Sequence, residues 1–126
     1  MMKWYTLINV KRPSSDQVIM TAEVNPGSPW FCGHFPNDPI LPGIAQLEMA
    51  LDAVSRLCER RMRISGVKKV RFKHMIRPKS LITISVSPRK KAGLSYGFHI
   101  TVDGEEASNG ILAVEEVQER KEQGNA

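Results

Sequence analysis

The sequence predicts an α+β domain, one long helix beside an antiparallel sheet of about six strands. Three observations carry that expectation. Only one stretch, from Gly43 to about Arg61, repeats its apolar residues at helical spacing. The segments on both sides of it alternate with a period of two. The chain has 126 residues, enough for one core and too few for two domains.

Taken in order, Lys3 to Val10 reads as a first strand and Gln17 to Val24 as a second. Val18, Met20, Ala22 and Val24 share one face of the second strand. Arg12-Pro13-Ser14-Ser15-Asp16 supplies the turn between them. In the helix, Ile44, Leu47, Leu51, Val54 and Cys58 fall on a stripe about 80° wide. Glu48 lies about 40° from Ile44, against the edge of that stripe, whereas Asp52, Arg56, Glu59 and Arg60 are expected on the wetter side. Strands are then predicted at Gly66–Phe72, Leu81–Ser87, Leu94–Val102 and Ala107–Val117. Asp103-Gly104 marks a tight hairpin. The domain is expected over residues 1–117, with a charged, frayed tail over 118–126. A single sheet wrapped on one helix leaves edges uncovered, and self-association is the natural remedy.

Apolar residues make up 41% of the chain and charged residues 25%, an ordinary balance for a soluble globular protein. No apolar run approaches the roughly 20 residues of a membrane span. Met1-Met2-Lys3-Trp4-Tyr5 has no signal-peptide pattern, so a cytoplasmic location is expected. Cys32 and Cys58 are expected as free thiols. The net charge of +5 and pI near 9.5 come from short basic runs, from Arg60-Arg61-Met62-Arg63 to Arg89-Lys90-Lys91. Each run by itself reads as solvated surface, and together they favour an acidic partner. Nucleic acid is not that partner, since no zinc finger, stacking platform or helix-turn-helix accompanies them.

The chemistry concentrates in Gly33-His34-Phe35-Pro36-Asn37-Asp38-Pro39-Ile40-Leu41-Pro42-Gly43. Pro36, Pro39 and Pro42 fix φ at three points of the loop, so His34 is mounted before a substrate arrives. Histidine titrates closest to physiological pH, as a general base requires. His74 and His99 lack such a setting and read as surface or structural residues. Glu48, one turn into the helix and leaning on apolar neighbours, suits a general acid, because partial burial favours the protonated carboxyl. Gly43 at the helix start lets a ligand approach the backbone, and its amide is an orphan donor able to hold a polarised carbonyl oxygen.

These residues resemble the active-site segment of the hotdog-fold 3-hydroxyacyl-[acyl-carrier-protein] dehydratases. The likeness rests on Gly33-His34-Phe35-Pro36, Pro39-Ile40-Leu41-Pro42-Gly43 and Leu47-Glu48-Met49-Ala50, with glycine nine and the acid fourteen residues after the histidine. Weaker likeness extends from Glu23 to Val117. The resemblance implies a sheet wrapped around the central helix and a homodimer, or an oligomer of dimers, whose sites take His34 from one subunit and Glu48 from the other. It implies that His34 removes the α-proton, that Glu48 protonates the departing hydroxyl, and that the Gly43 amide binds the thioester oxygen. Phe35 and Pro42 would line the substrate site. No metal or cofactor is implied, and the partner would be an acidic acyl carrier protein or a coenzyme A thioester.

Two departures stand out. Asn37 replaces a frequent glycine, and Asp52 stands where a glutamine usually helps to hold the acid. A carboxylate four residues from Glu48 would favour its protonation. The expected product is a trans-2-enoyl thioester in fatty-acid, lipid, polyene or polyketide synthesis. A coenzyme A hydratase or thioesterase of the same superfamily, or a non-catalytic acyl-binding subunit, are the alternatives.

Overall fold

The computed structural model describes residues 4–29, 40–89 and 94–118. Strands β1 (Tyr5–Ser14) and β2 (Gln17–Val24) precede helix α1 (Gly43–Cys58), and β3 (Met62–Phe72), β4 (Leu81–Pro88), β5 (Ser95–Val102) and β6 (Glu105–Glu116) follow it. They form one six-stranded sheet in the order β1-β2-β4-β5-β6-β3, with every neighbouring pair antiparallel. The α+β expectation holds, and the sheet wraps the helix as in a hotdog fold. No helix among the described residues is long and apolar enough to cross a membrane.

Alternation explains the sheet. Val18, Met20, Ala22 and Val24 of β2, Ile82, Ile84 and Val86 of β4, and Phe98, Ile100 and Val102 of β5 all point at the helix and are buried. Asp103 (φ 50°) and Gly104 (φ 86°) form the expected hairpin between β5 and β6. β1 runs through Pro13 to Ser14, beyond the predicted end at Val10. Proline is tolerated there because β1 is an edge strand with no further neighbour for its missing N–H. β3 starts at Met62 instead of Gly66, carried by pairing of Arg63 with Glu115 and Met62 with Glu116. Part of the first basic run is thereby neutralised: Arg60 meets Glu116 at 3.0 Å and Arg63 meets Glu115 at 2.5 Å. The predicted tail over 118–126 lies, from residue 119 onward, outside the described residues.

Helix α1 differs from expectation in two ways. It stops at Cys58, before Arg61, because Glu59 turns left-handed (φ 57°). The amides of Glu59 and Arg60 then both close on the Ser55 carbonyl. Its buried face is also different. Ala45, Gln46, Met49, Ala50, Ala53 and Val54 face the sheet, while Ile44 is 62% exposed and Leu47 and Leu51 are half-buried. At about 100° per residue, the buried face is rotated by roughly 130° from the predicted stripe. Three alanines let the sheet approach the helix closely. The bulkier aliphatics lie outside that contact.

Candidate active site

Pro42 caps the helix with extended backbone (φ −70°, ψ 159°), and its carbonyl receives the amides of Ala45 and Gln46. One residue earlier, the buried Leu41 donates its N–H to the Ile76 carbonyl at 2.8 Å. The helix start is thus fixed to the β3–β4 connection. Gly43, the first helical residue, has an amide in the orphan first turn, pointing along the positive end of the helix dipole. The ring of Phe72 rests on Gly43. A Cβ built there would meet Phe72 Cζ at 2.7 Å. This contact is the structural reason for glycine at this position.

Around Gly43 lies a mainly apolar cavity of about 460 Å³, walled by Ile40, Leu41, Pro42, Gln46, Phe72 and Met75. Phe72 and Met75 are more than half exposed at its rim. Gln46 is buried, and its Oε1 has no hydrogen-bond partner.

Glu48 lines a different cavity, of about 310 Å³, with Trp4, Tyr5, Leu51, Asp52 and Arg61. The two carboxylates of the helix have exchanged their expected places. Glu48 is exposed, and Asp52 is only 19% exposed. The reason is angular. With the buried face turned, Asp52 lies nearer the sheet edge than Glu48 does. Asp52 Oδ2 accepts the phenolic O–H of Tyr5, and its Oδ1 lies 3.7 Å from Arg56 Nε. The Tyr5 ring is buried and stands edge-on to Trp4 at 4.9 Å. Burial, then the Asp52 hydrogen bond, pushes the Tyr5 phenol well above its ordinary value.

The structure therefore places Gly43, Pro42 and Glu48 on one helix but in two cavities of the protomer. His34 and Phe35, the other two expected site residues, lie outside the described residues, as does Cys32. His74 and His99 are surface residues as expected, paired with Glu105 and Glu106 at 3.1 and 2.9 Å. Cys58 is a free thiol, its Sγ 3.1 Å from the Tyr96 hydroxyl. A cleft of about 680 Å³ lies on the outer sheet face, where Ser85 and His99 project away from the helix. Phe72 beneath Gly43 and Tyr5 on Asp52 have no local sequence signal, since each contact joins residues far apart in the chain.

Comparison with known proteins bears on family and fold. The ApeI-like family, described as ApeI dehydratase, matches residues 10–111. A 3-hydroxyacyl-[acyl-carrier-protein] dehydratase FabZ of Oenococcus oeni is 31% identical over 108 residues, covering 79% of this chain and 78% of that protein. The FabZ of Oceanobacillus iheyensis is 34% identical over 107 residues, covering 78% and 76%. Among solved structures, the dehydratase heterocomplex ApeI:P from Xenorhabdus doucetiae superposes with a TM-score of 0.79 at 25% identity, covering 90% of this chain and 98% of that one.

Proposed function

The chain belongs to the ApeI-like dehydratase family, and from that premise we propose that it removes water from 3-hydroxyacyl thioesters of an acyl carrier protein, giving trans-2-enoyl thioesters. The observation that carries the reading is the helix start. Gly43 offers an orphan amide beside an apolar cavity sized for an acyl thioester. In this mechanism His34 takes the α-proton and the Gly43 N–H holds the thioester oxygen as negative charge grows on it. Glu48 delivers a proton to the C3 hydroxyl, which leaves as water. Donors of the Gly43 kind contribute about 10²–10³ in rate.

A protomer whose Gly43 and Glu48 line separate cavities needs a second subunit to complete each site. The half-buried Leu47 and Leu51 and the exposed Ile44 supply an apolar surface for it. A second copy is the simplest partner. An unlike chain is the alternative, because the ApeI:P neighbour is a heterocomplex. Among the described residues, Lys68, Lys69 and Arg71 have no ion pair and suit an acidic carrier protein.

The test is hydration of a trans-2-enoyl thioester, followed by loss of enoyl absorbance. Wild type should be active, and His34→Ala and Glu48→Gln inactive but folded. Mixing the two inactive variants under subunit exchange should restore activity in hybrid dimers. Full activity in His34→Ala would remove that residue from the mechanism. Exchange without recovery would refute the shared site.

A further inference from the structure

Gln46 is the one polar member of the helix's buried face, among Ala45, Met49, Ala50, Ala53 and Val54. It is 3% exposed, and its Oε1 meets no hydrogen-bond donor. A buried carbonyl without a donor costs stability, and an apolar side chain of the same length would avoid that cost. Gln46 also walls the cavity beside Gly43, one helical turn further on. Two groups of opposite sense therefore stand at this cavity, the Gly43 N–H as a donor and the Gln46 Oε1 as an acceptor. The cations at its edge are already matched, Lys73 by Glu106 at 3.2 Å and His74 by Glu105 at 3.1 Å. Such a site favours a neutral ligand that carries both an acceptor and a donor over a free anion.

Resting on the dehydratase reading, we propose that Gln46 binds the pantetheine arm of the substrate: its Oε1 takes the N–H of the amide nearest the thioester while the Gly43 amide holds the thioester oxygen. That N–H lies two methylenes beyond the sulfur. Side chains three residues apart on a helix stand about 5–6 Å from each other, which suits the reach from the thioester oxygen to that nitrogen. The enoyl chain itself carries no N–H or O–H, so the arm is the part of an enoyl thioester that can donate. The C3 hydroxyl of the hydrated form belongs with Glu48, which lines another cavity of the protomer. Gln46 thus reads the carrier side of the thioester and is indifferent to acyl length. An analogue without the N–H leaves the buried acceptor unpaired, and this makes the contact selective.

The test removes the donor and the acceptor in turn. The crotonyl thioester of N-acetylcysteamine carries the amide, and its oxygen isostere has an ester in place of that amide at the same length. For wild type, kcat/KM for hydration should favour the amide about fivefold to tenfold, the factor of one net hydrogen bond. Gln46→Met keeps the length and buries no unpaired carbonyl, so it should fold and treat the two substrates alike, within about twofold. On crotonyl-[acyl-carrier-protein] and crotonyl-coenzyme A, which share the arm, Gln46→Met should lose activity on both, and the higher wild-type kcat/KM marks the carrier that supplies it. Equal rates of wild type on amide and ester, or a preference that Gln46→Met retains, would overturn the proposal and leave Gln46 a packing residue. If wild type hydrates neither, the dehydratase reading fails, and binding of the saturated butyryl pair decides the arm site by itself. The Gln46 side-chain amide resonances, assigned by their loss in Gln46→Met, should then shift at lower concentrations of the amide than of the ester. No shift, or an equal response to both, would overturn the arm site too.

Discussion

Gly43→Ala puts one methyl group at the point where helix, cavity and Phe72 meet. The new Cβ would lie 2.7 Å from Phe72 Cζ and 3.0 Å from Cε1 and Cε2. Ordinary carbon contacts are about 3.5–4.0 Å, so the ring must retreat by roughly 0.8 Å or more. It can do so, being near the end of β3 and 51% exposed. Overpacking costs about 1–3 kcal/mol, and replacing glycine in a helix returns up to about 1 kcal/mol. The net loss of stability should therefore stay below about 2 kcal/mol in urea denaturation. The backbone N–H survives the substitution, but the methyl and the displaced ring occupy the approach to it. Misplacing a reacting group by about 1 Å can cost around 10² in rate. We expect kcat/KM for enoyl hydration to fall about 10²-fold while the protein remains folded. Activity within threefold of wild type would refute the reasoning, because it would mean that no thioester comes to the Gly43 face.

Two further predictions concern stability. Gly110→Ala should cost about 3 kcal/mol or more, since its Cβ would meet Val70 Cγ2 at 2.7 Å, Val70 Cα at 2.9 Å and the buried Phe98 ring at 3.1 Å. Backbone and core cannot yield there as Phe72 can, and a melting temperature within about 3 °C of wild type would contradict it. Alkaline conditions should also destabilise the fold. Tyr5 is raised by burial and by Asp52, and Tyr96 is pushed up to about 12 by burial and by Cys58. The folded state therefore keeps protons that the unfolded chain gives up near pH 10. Their contribution is complete below pH 10 and declines above it, that of Tyr96 disappearing as pH rises through 12 and that of Tyr5 still declining beyond. Urea midpoints from pH 8 to 11.5 should decline in wild type and less steeply in Tyr5→Phe, which at neutral pH starts about 1.5–3 kcal/mol lower for want of its hydrogen bond to a charged group. A wild-type midpoint flat across that range would be inconsistent with two protected phenols.

Much of the fold was legible because strands with one buried face declare themselves. Every residue predicted to share one face of β2 is buried against the helix. Asp103-Gly104 named its own hairpin. What failed was governed by partners distant in sequence. The helix overran its true end because the left-handed residue is Glu59, where glycine or asparagine is the usual signal. β3 began early because Glu115 and Glu116 wait across the sheet for Arg63 and Arg60. Of the candidate site, the positions of Gly43 at the helix start and of Glu48 in its second turn were readable from spacing. The ring that requires the glycine was not, nor was the hydroxyl that grips the neighbouring carboxylate, because no local rule links Phe72 to Gly43 or Tyr5 to Asp52.

The helix face carries the remaining step. Periodicity finds the largest aliphatic residues, and on this helix those are Ile44, Leu47 and Leu51. The protomer instead buries alanines and Met49, where close approach to the sheet matters more than side-chain size. Under the shared-site mechanism, a helix that is apolar on two faces is covered on two faces, since a half-exposed row of leucines beside an acid costs stability unless something lies on it. The sheet accounts for one face. Under the shared-site mechanism the other belongs to the subunit that brings its histidine to Glu48. The roughly 130° between the predicted stripe and the buried face is then the angle between the protomer's own core and its neighbour.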